Sequence, residues 1–137
     1  CSSAKVSEAV FSAWLTHGMK PDGLNFGYAI LPGVDVKETA ELAALPPWTI
    51  LKNNTSCQAL RFTGGAWAAA FYEAGELKGD PNVSVSVPCL LFYDGKTLWA
   101  SDPTQSGTNL ELKLFSGKPV KVVLPKGGVS LKVVPFK

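Results

Sequence analysis

Leu90-Leu91-Phe92-Tyr93-Asp94-Gly95-Lys96-Thr97-Leu98-Trp99-Ala100 is the stretch on which the fold turns. Two apolar runs flank Asp94-Gly95. Both central positions of a type I′ turn need positive φ, which Asp tolerates and Gly adopts freely, so the segment predicts a tight antiparallel hairpin. Working outward, short apolar segments follow at residues 48–51, 58–62, 66–72 and 83–87 on one side, and at 110–115, 120–124 and 129–134 on the other. Gly, Pro, Asn and Asp punctuate them. Strands this short and this evenly spaced predict a sandwich of antiparallel sheets. Leu110-Glu111-Leu112-Lys113-Leu114 alternates strictly, which buries one face of a strand and wets the other. The pattern becomes helical only in Val36-Lys37-Glu38-Thr39-Ala40-Glu41-Leu42-Ala43-Ala44-Leu45. Asp35 is placed to cap it, Glu38 completes a capping box, and Pro46-Pro47 ends it. The expected fold is therefore all-β: an antiparallel β-sandwich with one short helix near residues 36–45.

A chain of 137 residues has room for one domain, or for a small domain and part of a neighbour. With 46% hydrophobic and 18% charged residues it can build a core and is not a disordered chain. A net charge of +2, from scattered basic residues that include the single arginine Arg61, points away from nucleic acid. No apolar run reaches the ~20 residues of a membrane span, and no intact signal segment opens the chain. Residues 10–16 and 26–31 read as two strands joined by a loop containing Gly18, Pro21, Asp22 and Gly23. Two strands and a helix bury too little to stand alone, so Pro46-Pro47 marks the expected boundary. Residues 1–47 read as the end of a preceding region and residues 48–137 as the sandwich.

Candidate chemistry is sparse. His17 is the single histidine, so no common zinc site can form around it, and a structural strand-end role is expected. Glu73 and Glu76 lie at an expected turn, where solvated charge is the simpler reading. In Ser101-Asp102-Pro103-Thr104-Gln105, one carboxylate is far short of a calcium site, and a turn in which Asp102 accepts from backbone amides accounts for the pattern. Gly64-Gly65 is followed by no helix and is not a phosphate loop. No metal and no cofactor is expected.

Trp14, Trp48, Trp67 and Trp99 each sit in a strand pattern where a core tryptophan is expected. An exposed member could stack on a sugar ring, which makes Trp48, Trp67 and Trp99 the candidate carbohydrate-binding residues. Asn53, Asn54 and Asn82 open glycosylation-type triplets, whose consequence depends on the source. Cys1, Cys57 and Cys89 allow at most one internal disulfide and leave open whether Cys57 meets Cys89. Cys1-Ser2-Ser3 has the form of a lipoprotein terminus, but the strand-like pattern starts around Val6 with no polar spacer, so lipid anchoring is not expected.

Four segments taken together resemble polysaccharide lyase family 8, whose members include hyaluronate, chondroitin and xanthan lyases. They are Val10-Phe11-Ser12-Ala13-Trp14-Leu15-Thr16-His17-Gly18, Tyr28-Ala29-Ile30-Leu31-Pro32-Gly33, Gln58-Ala59-Leu60-Arg61 and Ser101-Asp102-Pro103-Thr104-Gln105. The likeness runs in order along nearly the whole chain. It implies that residues 1–47 correspond to the last strands of a central β region and residues 48–137 to a C-terminal β-sandwich. It also implies β-elimination on a uronic acid polymer by the complete enzyme, outside the cell or in the periplasm. The family's catalytic Asn, His, Tyr and Arg match no position here, so no catalytic residue is assigned and the isolated chain is expected to be inactive. The implied partners are the rest of the lyase and an acidic polysaccharide. The rival reading is a stand-alone carbohydrate-binding sandwich, and a third is a plain structural or interaction domain.

Overall fold

A computed structural model of the chain describes Thr16, Gly18, Met19, Asp22, Gly23 and residues 26–115 and 117–133. The run at residues 10–15, with Trp14, and also Cys1 and His17 lie outside the described residues. The helix α1 spans Val36–Ala44. Asp35 Oδ1 accepts from the Glu38 amide at 2.8 Å and Glu38 Oε2 accepts from the Asp35 amide at 3.0 Å, so the capping box forms as its sequence requires.

Ten short strands follow among the described residues: β1 (Trp48–Asn53), β2 (Cys57–Phe62), β3 (Trp67–Phe71), β4 (Gly75–Leu77), β5 (Val83–Val85), β6 (Cys89–Tyr93), β7 (Leu98–Ser101), β8 (Thr108–Leu114), β9 (Val120–Leu124) and β10 (Leu131–Val133). They make two antiparallel sheets, a six-stranded one ordered β1-β2-β3-β6-β7-β10 and a four-stranded one ordered β4-β5-β8-β9. The expected sandwich is present.

Register decides what each face holds. On the inner side of the large sheet, Cys57, Phe71 and Cys89 form one row, Ala59, Ala69, Leu91 and Ala100 a second, and Arg61, Trp67, Tyr93, Leu98 and Val133 a third. Facing them, Leu77, Val83 and Leu114 align across the small sheet, with Val85 beside Leu112 and Leu110 beside Val122. Apart from Arg61, which stands at the margin, and the partly buried Tyr93, these side chains are the buried core, and large residues sit beside small ones so that the two layers interlock.

The open edge between the sheets is clasped twice. A register shift between Ile50 and Lys52 turns Leu51 and Lys52 to the same side, as a bulge does. Leu51 then packs on the core, and Lys52 Nζ reaches across to donate to the Glu76 carbonyl at 3.1 Å. Arg61 pairs with Asp80 in the β4–β5 connection.

Three expectations need correction. The hairpin at Asp94-Gly95 exists, but its turn is centred one residue later: the last strand pair is Tyr93 with Leu98, the Asp94 amide donates to the Thr97 carbonyl, and positive φ falls on Gly95 and not on Asp94. The cause is the Asp94 carboxylate, whose Oδ1 accepts from the Lys96 and Thr97 amides at 2.8 and 2.7 Å and holds Asp94 in an ordinary conformation. Those same amides, Thr97 first, hold its carboxyl below the usual carboxylate range. Second, Glu76 belongs to β4 and not to a turn. Gly75-Glu76-Leu77 has little strand propensity of its own and is held by pairing with β5 and by the buried Leu77. Third, residues 26–31 form no strand. They run as exposed, irregular backbone against the side chains of β1 and join no ladder.

Gly107 marks a tight approach of the loop after β7 to the end of β9. Its φ is +80°, and a Cβ there would lie 2.9 Å from Lys126 Cγ and 3.4 Å from the Leu124 carbonyl oxygen. Gly107→Ala is expected to cost about 1–3 kcal/mol in urea unfolding, because the left-handed backbone and the crowding act together. An unchanged midpoint would mean that the loop can move away freely.

Candidate functional site

The two sheets differ on their outer faces. The small sheet presents Glu76, Ser84 and Lys113 in one row and Glu111 beside Lys121, a charged surface suited to water. The large sheet presents Ile50, Leu60, Ala68, Phe92 and Trp99 in one row across five strands, ending in Lys132 on the sixth. Ala70 and Leu90 pair in the next row, and Trp48 pairs with Phe62 beyond. Phe92 is 44% exposed and Leu90 43%, so the face is open to solvent and apolar.

Over its β1 end lies the segment at residues 26–29. Asn53 Nδ2 donates to the Phe26 carbonyl at 3.2 Å, and a Cβ on Gly27 would be 3.6 Å from Ile50 Cδ1. Between segment and sheet runs an open groove of about 1110 Å³ whose walls include Tyr28, Trp48, Lys52, Asn53, Gln58 and Tyr72. Tyr72 Oη donates to Gln58 Oε1 at 2.8 Å.

Sequence-selected residues divide on this frame. Trp48 is half-buried at the groove, and Trp99 is half-buried on the same outer face. Trp67 is 4% exposed and packs inside the sandwich with its ring centroid 6.0 Å from that of Tyr93. A sugar face cannot reach it, because it belongs to the inward row of β3. Glu73 is exposed in a bend and Glu76 forms an ion pair with Lys78 at 2.9 Å, so neither faces a pocket.

Asp102 is 1% exposed. Its Oδ1 accepts from the Thr104 amide at 2.8 Å and the Thr104 hydroxyl at 2.7 Å, and its Oδ2 from the Gly107 amide at 2.9 Å and the Ser106 hydroxyl at 3.4 Å. The Thr104 hydroxyl above all, helped by these amides, holds the Asp102 carboxyl below the usual range. Its lone pairs are spent on its own loop. The aspartate is a structural anchor, and the described residues contain no cluster of His, Cys, Asp and Glu able to hold a metal ion.

Cys57 and Cys89 are both free and buried, on either side of Phe71 in one row. Two strand spacings put their Cα atoms about 9.5 Å apart, beyond the ~7 Å limit for a disulfide. Burial pushes the Cys57 thiol up, and burial with Cys57 nearby pushes Cys89 up to about 12. Both are therefore expected to resist iodoacetamide at about pH 8 in the folded chain and to react after denaturation. Alkylation of either in the native state would show that this end of the sandwich opens.

Comparison with known proteins settles the family. Residues 49–111, which run from β1 into β8, match the description "Polysaccharide lyase family 8, C-terminal beta-sandwich domain". The sandwich is a polysaccharide lyase family 8 C-terminal domain. Chondroitinase-AC of Pedobacter heparinus is 30% identical, over 91% of this chain and 19% of its own length. A hyaluronate lyase of Thermasporomyces composti is 29% identical, over 74% of this chain and 13% of its own. A solved structure of chondroitinase AC lyase, studied in oligosaccharide complexes, superposes with a TM-score of 0.63 at 26% identity, covering 75% of this chain and 17% of that one. The chain thus spans less than a fifth of the length of these relatives. The outer face of this lyase domain was not singled out as a site in the sequence. Its signal was the absence of alternation in Trp67-Ala68-Ala69-Ala70-Phe71 and Leu90-Leu91-Phe92-Tyr93, which are apolar on both sides where Leu110–Leu114 is not.

Proposed function

We propose that this chain is the non-catalytic, C-terminal portion of an extracellular or periplasmic lyase that cleaves a uronic-acid polysaccharide of the hyaluronan, chondroitin or xanthan type. In that reading residues 1–47 end the preceding β region and residues 48–137 form the supporting sandwich, placed to flank the substrate cleft. The observation that carries it is the contrast of faces: a sandwich that worked alone would have a polar outside on both sheets, whereas the large sheet keeps an apolar one. The similarity to a chondroitinase over 91% of the chain supports the lyase assignment. A polymeric acid does not cross a lipid bilayer, which supports a location outside the cytoplasm for this reading. No helix among the described residues is long and apolar enough to span a membrane.

The reaction itself sets demands. A base removes the C5 proton, the electrons form the C4=C5 double bond, the C4–O bond breaks and the leaving oxygen takes a proton, while a cationic or hydrogen-bonding group neutralises the carboxylate. Three charged groups of this domain are engaged within the fold: Asp102 with its loop, Arg61 with Asp80 and Lys52 with a carbonyl. That engagement is consistent with a supporting role.

A second reading has its own observation. The groove beside Trp48 combines aromatic rings with Asn53 and Gln58, the mixture that stacks on sugar rings and bonds their hydroxyls. One experiment separates the two. The purified chain is incubated with hyaluronan, chondroitin and xanthan while unsaturated uronate is followed by ultraviolet absorbance and binding by calorimetry. The expected result is neither product nor heat. Product would overturn the non-catalytic assignment, and binding that Trp48→Ala abolishes would establish the carbohydrate-binding module instead.

A further inference from the structure

We infer that the edge strand β9 and the hairpin leading into it form a contact surface for a uronic acid polysaccharide, with Lys113, Lys118, Lys121 and Lys126 meeting carboxylates and Phe115 meeting a sugar ring. The inference rests on the lyase reading for its partner. It adds the surface that meets the polymer, away from the groove at Trp48.

Charge is spread unevenly along the chain. From Leu112 to Lys137 the sequence has six lysines and no Asp or Glu, whereas the preceding 111 residues hold seven basic and eleven acidic side chains. The net charge of +2 therefore hides a basic end joined to an acidic remainder. Folding gathers part of that end. Glu111 pairs with Lys121 and Leu112 with Val120, so Lys113 lies diagonally across the ladder from Lys121, about 7–8 Å away. That is within the ~8 Å Debye length of physiological salt, so the two act together on an anion. Lys118 stands in the loop between β8 and β9. Lys126 opens the turn Lys126–Gly128 just past the other end of β9, which the Gly127 amide fixes by donating to the Gln105 carbonyl at 2.9 Å. All four lysines are exposed.

The two edges of the small sheet treat charge differently. At the β4 edge it is engaged: Lys52 with the Glu76 carbonyl, Arg61 with Asp80 and Lys78 with Glu76. At the β9 edge none of the four lysines forms an ion pair among the described residues, and Glu111 faces Lys121 across the ladder without one. Lysines on an edge strand also keep other strands from pairing with it. That role alone does not require a local shortage of acids, and Lys118 and Lys126 stand outside the strand.

Phe115 adds what cations lack. Its φ is +49°, in the left-handed region that an aromatic residue rarely adopts, and its amide donates to the Asn82 carbonyl at 2.6 Å. The residue stays 54% exposed, in the same hairpin as Lys113 and Lys118. An exposed ring among cations fits an anionic sugar chain, whose pyranose faces are apolar and whose uronates are charged.

The test is salt-gradient elution of the full chain from immobilised hyaluronan, whose charges are all uronate carboxylates, and from immobilised polyglutamate, a carboxylate polymer with no sugar rings. Exchange of counterions for lysines is driven by counterion release and gives little heat, so elution reads it where calorimetry does not. The chain is expected to be retained on hyaluronan at about 20 mM NaCl and released near about 0.1 M, as the Debye length shrinks toward ~10 Å. Lys118→Gln with Lys121→Gln should lower the eluting salt by about a third or more. Lys37→Gln with Lys78→Gln, which removes the same charge elsewhere, should elute with the wild type. Phe115→Asn removes the ring and tolerates the left-handed backbone; it should elute early from hyaluronan and with the wild type from polyglutamate. Unchanged urea midpoints report that the sandwich is intact.

No retention on hyaluronan at about 20 mM NaCl would overturn the inference, and retention on duplex DNA alone would assign the surface to nucleic acid instead. Equal effects of the two lysine pairs would overturn it, because only net charge would then matter. So would a Phe115→Asn variant that elutes from hyaluronan with the wild type, which would leave a surface that does not read sugar. Retention that Trp48→Ala abolishes and the lysine pair leaves unchanged would move the contact to the groove. The lyase reading itself fails on a different signal, unsaturated product from the isolated chain, so the two failures are distinguishable.

Discussion

Phe71→Ala is expected to lower the free energy of unfolding by about 3–5 kcal/mol, read as a fall in the urea midpoint at unchanged slope. Phe71 is 1% exposed and stands in the middle strand pair of the large sheet, with Cys57 and Cys89 level with it on either side. Removing the ring deletes its transfer free energy and opens a cavity that two small thiol side chains cannot fill. Collapse is resisted because β3 is held on both edges by β2 and β6. A typical domain has only about 5–15 kcal/mol in all, so the variant should be poorly folded at physiological temperature. Phe71→Leu keeps most of the volume and should lose less than about 2 kcal/mol. If the alanine variant lost under about 1 kcal/mol, the sheets would have to close on each other, and the rigid packing described above would be wrong.

The parts of the fold that were legible in the sequence are those where local chemistry and tertiary structure agree. Asp35, Glu38 and Pro46-Pro47 fix the two ends of α1 by hydrogen bonds and sterics within a few residues, and the helix appears within one residue of its expected span. Leu110-Glu111-Leu112-Lys113-Leu114 announces a half-buried strand, and β8 buries its three leucines. Where neighbours far along the chain decide, the reading falls short. Gly75-Glu76-Leu77 is a strand because β5 offers it an edge. Residues 26–31 have strand-like composition but find no ladder partner among the described residues, and they run as irregular backbone that touches β1 at Phe26 and Gly27. At Asp94 a side chain competed with the backbone for the turn amides and moved the turn by one residue.

The candidate site was less legible for a different reason. Searching for tryptophans selects residue type, while availability depends on which way each strand faces. Trp67 and Trp99 look alike in sequence, yet Trp67 falls on the inward row of β3 and Trp99 on the outward row of β7. The informative property was collective. Five strands contribute an apolar side chain to one outer row, and no single segment states that until the register aligns them. A face of this kind has little chemistry to offer a substrate and much to offer another protein layer, which supports the proposed supporting role over the sugar-binding one.

Asp102→Asn is expected to destabilise the fold and to flatten its acid dependence. The carboxylate accepts four hydrogen bonds in a loop that links the end of β7 to β8, and Gly107, one of its donors, abuts the end of β9. An amide keeps one acceptor oxygen and turns an NH₂ toward donors, so the backbone amide of Thr104 or of Gly107 loses its partner in a buried setting. The charge matters as well. Hydrogen bonds from the Thr104 hydroxyl first, then from the Thr104 and Gly107 amides, hold the folded-state pKa below the unfolded value of about 3.9. A depressed carboxyl contributes stability that is fully present above the unfolded pKa and disappears as pH falls through the folded one. The thermal stability of the wild type should therefore fall as pH drops from about 5 to about 2, with part of that slope missing in Asp102→Asn. Asp94, whose carboxyl is also lowered by turn amides, supplies a remaining acid-sensitive component that persists in the variant. Parallel pH profiles for the two proteins would show that Asp102 is not ionised within its loop, and the hydrogen bonds assigned to its carboxylate would have to be reassigned to the neutral acid.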